Sequence, residues 1–434
     1  MILPGDIADA CLRRETADRE HWAAPRSIRV DRALDLANSG EDTSSHGANE
    51  TQMKKLGVLI FSALLVGCAT APAPERADRL LNDHLFAAPS QRISAGDVFA
   101  LSDDMRAYLR GEIADELRAK GPQSGLIDAL YDKRQLKLDY DAEITRNAAQ
   151  TFAARAGNCL SLAIMTAAFA KEVGLTVRYQ RILIDDAWSR SGDMYFSSSH
   201  VNLTLGTMQR GRILDDSNAP MTIDFVPQDE IRGRRLRVIG EETIVAMYMN
   251  NRAAESLARG QVDDAYWWAR EAIHQDPRFL TAYNTLGVIY RRHGNLKESE
   301  QVLAHALEAE PANTDVLSNL ALVFHDEGRV AESELLTQKL QQLQPYPPFY
   351  FFNLGMSAMR EGDFKAARDL FTKELERDAY YHEFHFWLAA AYVGLGDLKQ
   401  AREHLAIAAE NSATRKEHDL YAAKLDRLSS HRTQ

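Results

Sequence analysis

Five glycines recur at a fixed step of 34 residues: Gly260, Gly294, Gly328, Gly362 and Gly396. A single globular core imposes no such period, so the C-terminal half of this 434-residue chain is a stack of like units. The same step relates Ala265, Ser299, Ser333, Ala367 and Ala401, then Leu286, Leu320, Leu354 and Leu388, then Pro277, Pro311 and Pro345. Small residues follow the leucines, at Gly287, Ala321, Gly355 and Ala389, and let two antiparallel helices approach. The repeated glycine suits a turn conformation that other residues resist.

At these positions the sequence resembles the tetratricopeptide repeat: a large residue and Leu-Gly in helix A, Gly at the turn, Ala early in helix B, Pro after it. The resemblance implies five repeats over 246–415 and a polar capping helix and tail over 416–434, an all-α solenoid whose concave groove holds a protein or peptide. Aromatics concentrate in Tyr346-Pro347-Pro348-Phe349-Tyr350-Phe351-Phe352 and in Tyr380, Tyr381, Phe384, Phe386 and Trp387. Most are expected between repeats, with some lining the groove. His382 and His385 stand three apart on a helix with no further ligand beside them, so neither a metal site nor a cofactor is expected.

Near the N-terminus, Met53, Lys54 and Lys55 precede the apolar run Leu56 to Val66, which ends at Gly67 and Cys68. A basic start and an apolar stretch of this length read as a secretory signal at 53–67. The run falls short of the roughly 20 residues that a spanning helix needs. Leu65-Val66-Gly67-Cys68 resembles a bacterial lipobox, which implies lipidation of Cys68 and an Ala/Pro tether over 68–76. Ala69 after that cysteine resembles outer-membrane sorting, so the expected location is the cell envelope, on the periplasmic face of the outer membrane. A signal is read at the start of a nascent chain, so residues 1–52 are expected to be an upstream misassignment, with translation starting at Met53. Of three cysteines, only Cys159 then remains a free thiol, and no disulfide framework exists. The 51 Lys+Arg against 62 Asp+Glu leave a net charge of −11, which argues against a nucleic-acid partner.

The chemistry falls in 77–243. Helices are expected over Val98 to Ala119, Ile127 to Asp132 and Ala142 to Ala156. Then Cys159 opens a helix with only Ser161 and Thr166 polar between Leu160 and Ala170, the mark of a buried central helix. A thiol at a helix N-terminus suits a nucleophile, because the helix dipole favours the thiolate. Asn158 is a preferred cap. Val177 to Ile184 reads as a strand, Asp185 to Ser199 as a polar loop bearing Trp188, Tyr195 and Phe196, and His200 to Leu205 as a strand. Its alternation puts Val201, Leu203 and Leu205 on the core face and His200, Asn202 and Thr204 opposite. A turn over Met208 to Gly211 would pair it with Arg212 to Asp216, bringing His200 beside Asp215 in one register or Asp216 in the next.

A thiol, an imidazole and a carboxylate in this order are what cysteine acyl-transfer chemistry uses. Here the sequence resembles the transglutaminase-like superfamily, in the bacterial branch where that domain precedes tetratricopeptide repeats. Gly157-Asn158-Cys159-Leu160-Ser161-Leu162-Ala163 looks like its nucleophile motif, His200 its histidine strand and Ile213-Leu214-Asp215 its aspartate strand. The resemblance implies an α+β papain-like domain and a Cys159, His200, Asp215 triad. It also implies attack on amide bonds of a protein or peptide through a thioester, with hydrolysis favoured over transfer. Asn202 departs from the aromatic of animal-type members, and the oxyanion donors are the backbone N–H of Cys159 and, as a candidate, Gln150. The alternative is a non-catalytic repeat scaffold carrying an inactive domain of this type.

Overall fold

The structure is a computed structural model that describes residues 77–131, 136, 138–142, 144–183, 187–191, 194–198, 200–206, 221–223, 235–412 and 414–430. Cys68, Asp215 and Asp216 lie outside the described residues, as do the leader, signal and tether.

Helix boundaries in the front region follow its caps and breakers. Two short 3₁₀ turns, Asp83–Leu85 and Ala95–Asp97, precede α1 (Asp103–Arg110), where the Ser102 side chain accepts from Met105 N–H. The helix expected from Val98 thus starts later and ends at Gly111, and α2 (Ala114–Tyr131) bends where Gly121 takes φ 79° ahead of Pro122. The helix expected over Ala142 to Ala156 shortens to α3 (Ala148–Ala154), because Asn147 and Gln150 close a capping box at its start. Two short parallel strands, β1 (Asp139–Tyr140) and β2 (Ala156–Gly157), flank it. Then α4 (Cys159–Glu172) runs through the core, with every residue from Cys159 to Ala170 buried.

A turn at Gly174 reverses the chain into β3 (Thr176–Leu183). The segment expected as a loop instead forms a hairpin, β4 (Ala187–Ser191) with β5 (Met194–Ser198). β6 (Val201–Gly206), β7 (Met221–Ile223) and β8 (Arg235–Ile239) complete an antiparallel sheet in the order β7-β6-β3-β8. Val201, Leu203 and Leu205 are fully buried in one core with α4 residues such as Ile164 and Phe169, as their alternation requires.

The repeats follow as helix pairs: α5 (Glu241–Ala258) with α6 (Val262–Gln275), and α7 (Leu280–His293) with α8 (Leu296–Ala309). Next come α9 (Thr314–Asp326) with α10 (Val330–Leu343), α11 (Tyr350–Glu361) with α12 (Phe364–Leu375), and α13 (His382–Gly394) with α14 (Leu398–Glu410). α15 (Arg415–Ser430) caps the last pair. The five periodic glycines all sit at φ between 75° and 90°, the left-handed turn conformation. At Gly287 a β-carbon would lie 2.6 Å from Leu303, so the α7–α8 approach depends on its absence.

One joint departs from a continuous stack. α10 packs on α9 but makes no comparable contact with α11, and none of its residues is buried. The buried apolar residues accordingly fall into two clusters. One runs from the front domain through α9, and the other joins α11, α12 and α13 to Tyr195 of the β4–β5 hairpin.

Candidate functional site

The chain is held rigid on its way into Cys159. Tyr140 pairs with Gly157, and Asp141 N–H donates to the Gly157 carbonyl at 3.1 Å. A β-carbon on Gly157 would meet the Ser161 β-carbon at 2.8 Å, so only glycine lets the strand turn this tightly into the helix. Asn158 caps α4, its Oδ1 accepting from Ser161 N–H at 2.9 Å and from Ser161 Oγ at 2.8 Å. Its Nδ2 donates to Thr145 Oγ1 at 2.9 Å.

That cap reaches the first repeat helix, a link the sequence reading missed. Thr145 Oγ1 also accepts from Asn251 Nδ2 at 3.2 Å, and Thr145 N–H donates to Glu255 Oε1 at 2.7 Å. Glu255 pairs with Arg252 at 3.2 Å, with both side chains 16% exposed. Burial pushes the Glu255 carboxyl up, against the pull of the Thr145 bonds and the Arg252 charge. The signal available in sequence was the Asn250-Asn251-Arg252 run with Glu255 one turn on, polar residues that interrupt the apolar stretch from Ile244 to Met249.

Helix and sheet geometry bring Cys159 and His200 to one end of the domain. The 14 residues of α4 rise about 20 Å and the eight of β3 return about 23 Å in the opposite sense. β6 then runs antiparallel to β3, with Ile182 N–H donating to the His200 carbonyl at 2.9 Å. His200 immediately precedes β6 and is partly exposed, whereas Cys159 is buried, 9% exposed. Alternation sends Asn202 and Thr204 to the face away from α4, so thiol–imidazole contact requires His200 to depart from strand geometry. Along Leu203 to Leu205 the edge of β6 pairs with β7, in the register Leu203 to Ile223.

Gln150 is engaged elsewhere: its Oε1 accepts from Asn147 N–H at 3.2 Å. It lines a cavity of about 130 Å³ together with Asn147, Tyr248, Arg252 and Trp268, and Cys159 is not among the lining residues. His382 and His385 also part company. Nδ1 of His382 lies 2.8 Å from the Tyr421 hydroxyl, and Nδ1 of His385 lies 3.0 Å from that of His404. Among the described residues, no group of three or more His, Cys, Asp or Glu is placed to hold a metal ion.

The tetratricopeptide-repeat family profiles match residues 279–309 and 358–424. A search of curated proteins finds no match to the chain. Among solved structures, the chain is similar to one titled "Functional Characterization of Pseudomonas Aeruginosa pilF", with 20% identity, 43% of this chain and 85% of that one covered, and a TM-score of 0.28. It is also similar to YrrB, titled a TPR protein with an unusual peptide-binding site, with 22% identity, coverage of 41% and 92%, and a TM-score of 0.22. For yeast Tom70 the identity is 15%, the coverage 43% and 40%, and the TM-score 0.32. With the five left-handed glycines and the helix pairs, the matched profiles identify the C-terminal part of the chain as a tetratricopeptide-repeat solenoid.

Proposed function

We propose that the chain is a lipid-anchored envelope protein whose repeats bind a protein or peptide and whose front domain is a transglutaminase-like acyl-transfer module. Cys159 attacks an amide carbonyl carbon as thiolate, His200 gives a proton to the departing amine, and Asp215 orients the imidazole, with Asp216 the alternative. Water then opens the thioester to the acid and restores the thiol. What supports this reading is that α4 and β3 run out and back and β6 runs antiparallel to β3, so the capped helix N-terminus bearing Cys159 and the start of the His200 strand lie toward the same end of the domain. The network from Asn158 through Thr145 to Glu255 supports coupling between this site and the repeats.

Alkylation by iodoacetamide at pH 6, followed by intact mass, tests it. Cys159 is expected to react more than about tenfold faster than free cysteine, and His200→Ala to remove that excess. Ordinary reactivity insensitive to His200 sinks the catalytic reading. Burial of Cys159 favours a second reading, a repeat scaffold with a spent site. On that reading Cys159→Ala behaves as wild type.

A further inference from the structure

The last two repeats are not bare. The β4–β5 hairpin lies against them, and Arg190 and Tyr195 are cross-strand partners, so their side chains share one hairpin face. The Tyr195 ring stacks on Phe349 at 4.8 Å with planes 1° apart. Phe349 is in turn met edge-on by Phe352, Tyr381 and Phe384 at 5.3–5.9 Å. At the far end of the ring, the Tyr195 hydroxyl accepts from Asn353 Nδ2 at 2.9 Å. Arg190 pairs with Glu383 and lies 5.1 Å from the Phe352 ring centroid. Trp188, two residues before Arg190, packs on the same cluster, while Phe196 on the other hairpin face packs on the front-domain core.

This is an aromatic box with one carboxylate, Glu383, at its edge, filled by a tyrosine and an arginine on an extended backbone. Its filler is dispensable to the main sheet: β4 and β5 bond each other and, among the described residues, no third strand. An isolated two-stranded hairpin is marginal in water, so the hairpin's order depends on the seat it occupies. The seat also has aromatic shoulders next to it in sequence, with Tyr346 54% and Tyr380 62% exposed.

We propose that this face of the last two repeats is a docking seat for an extended segment of a partner protein bearing an aromatic residue and an arginine, and that the β4–β5 hairpin is its resident competitor. The proposal rests on the reading of the repeats as a protein-binding array. It is independent of the chemistry at Cys159, so its test reads binding and not alkylation.

The probe is a fluorescent peptide of residues 187–198, titrated by anisotropy into the full chain and into the Arg190→Ala/Tyr195→Ala variant. The variant, with its seat vacated, is expected to bind at least about tenfold more tightly than wild type. Adding Glu383→Lys to that variant, or replacing the peptide's arginine and tyrosine by alanine, is expected to abolish binding. Equal binding by wild type and variant, or undiminished binding of the altered peptide, overturns the proposal. A second measurement needs no substitution. Saturating peptide should speed hydrogen exchange of the hairpin amides in wild-type protein, and unchanged exchange under saturation overturns the proposal as well.

Discussion

The repeats from α5 to α10 and those from α11 to α15 share one 34-residue unit, yet they are held in place by different means. The first set is continuous with the front domain. Tyr266, Tyr283 and Tyr290 are fully buried, and their hydroxyls donate to Asp83 at 2.6 Å, to the Pro277 carbonyl at 3.0 Å and to the Leu80 carbonyl at 2.9 Å. Phe86 stacks on Tyr266 at 4.0 Å, so the segment before α1 is laid across these helices. The second set is built on phenylalanines, Phe349, Phe352, Phe371 and Phe384, whose rings offer no such bonds. Among the described residues, its apolar contact with the front domain is one face of a hairpin. A shared period therefore says which helices pair, while the side chains on the outer helix of each pair decide whether the next pair adheres. Thr337 in α10 stands where Ala269, Leu303 and Phe371 stand in the other second helices, and its hydroxyl bonds the Ser333 carbonyl instead of entering a core.

Three measurements can break or sharpen this division. Phe352→Ala removes a fully buried ring and should cost about 3–5 kcal/mol, lowering the unfolding transition of α11–α15 while that of the front domain and early repeats stays put. Calorimetry that shows both moving together would refute the two-cluster description. Asp83→Ala strips the Tyr266 hydroxyl and the Arg270 guanidinium of their partner, and about 1–3 kcal/mol should be lost from the first transition alone. The smallest effect concerns acid. Burial pulls His382, His385 and His404 below their ordinary value of 6.5. The unfolded chain then takes up protons first as pH falls, so the stability of α13–α15 is complete above 6.5 and declines below it. Hydrogen exchange at pH 7 and pH 5 should show this loss confined to the last repeats; uniform loss across the chain would contradict it.

The helix pairs were legible because glycine at a left-handed turn and a small residue at a close approach leave marks that no other residue type satisfies. The break after α10 was not, since Gly328, Pro345 and Leu354 keep the period across it and the departures lie inside α10, where Thr337 and Leu340 stand in place of the Leu303 and Ala306 of α8. The hairpin reads as a loop because Asp185, Asp186 and the repeated serines make the whole stretch from Asp185 to Ser199 polar. Its alternation of Trp188 with Arg190, and the Gly192-Asp193 pair between its strands, were the available signals. At the candidate site the chain order of Cys159 and His200 could be read, as could the core face of β6. The partner strand could not, because periodicity fixes a face and leaves the neighbour open.

The hairpin and its seat belong to one polypeptide, so the seat faces its occupant at an effective concentration on the order of millimolar, whatever the dilution of the protein. A free segment of equal intrinsic affinity must approach that concentration to claim half of the seats. Dilute peptides pass unnoticed, and the array responds to partners that bring additional contacts of their own. Selectivity of this kind is set by tethering, and it would change with the length of the connections around residues 184–200 even if no side chain in the seat were altered.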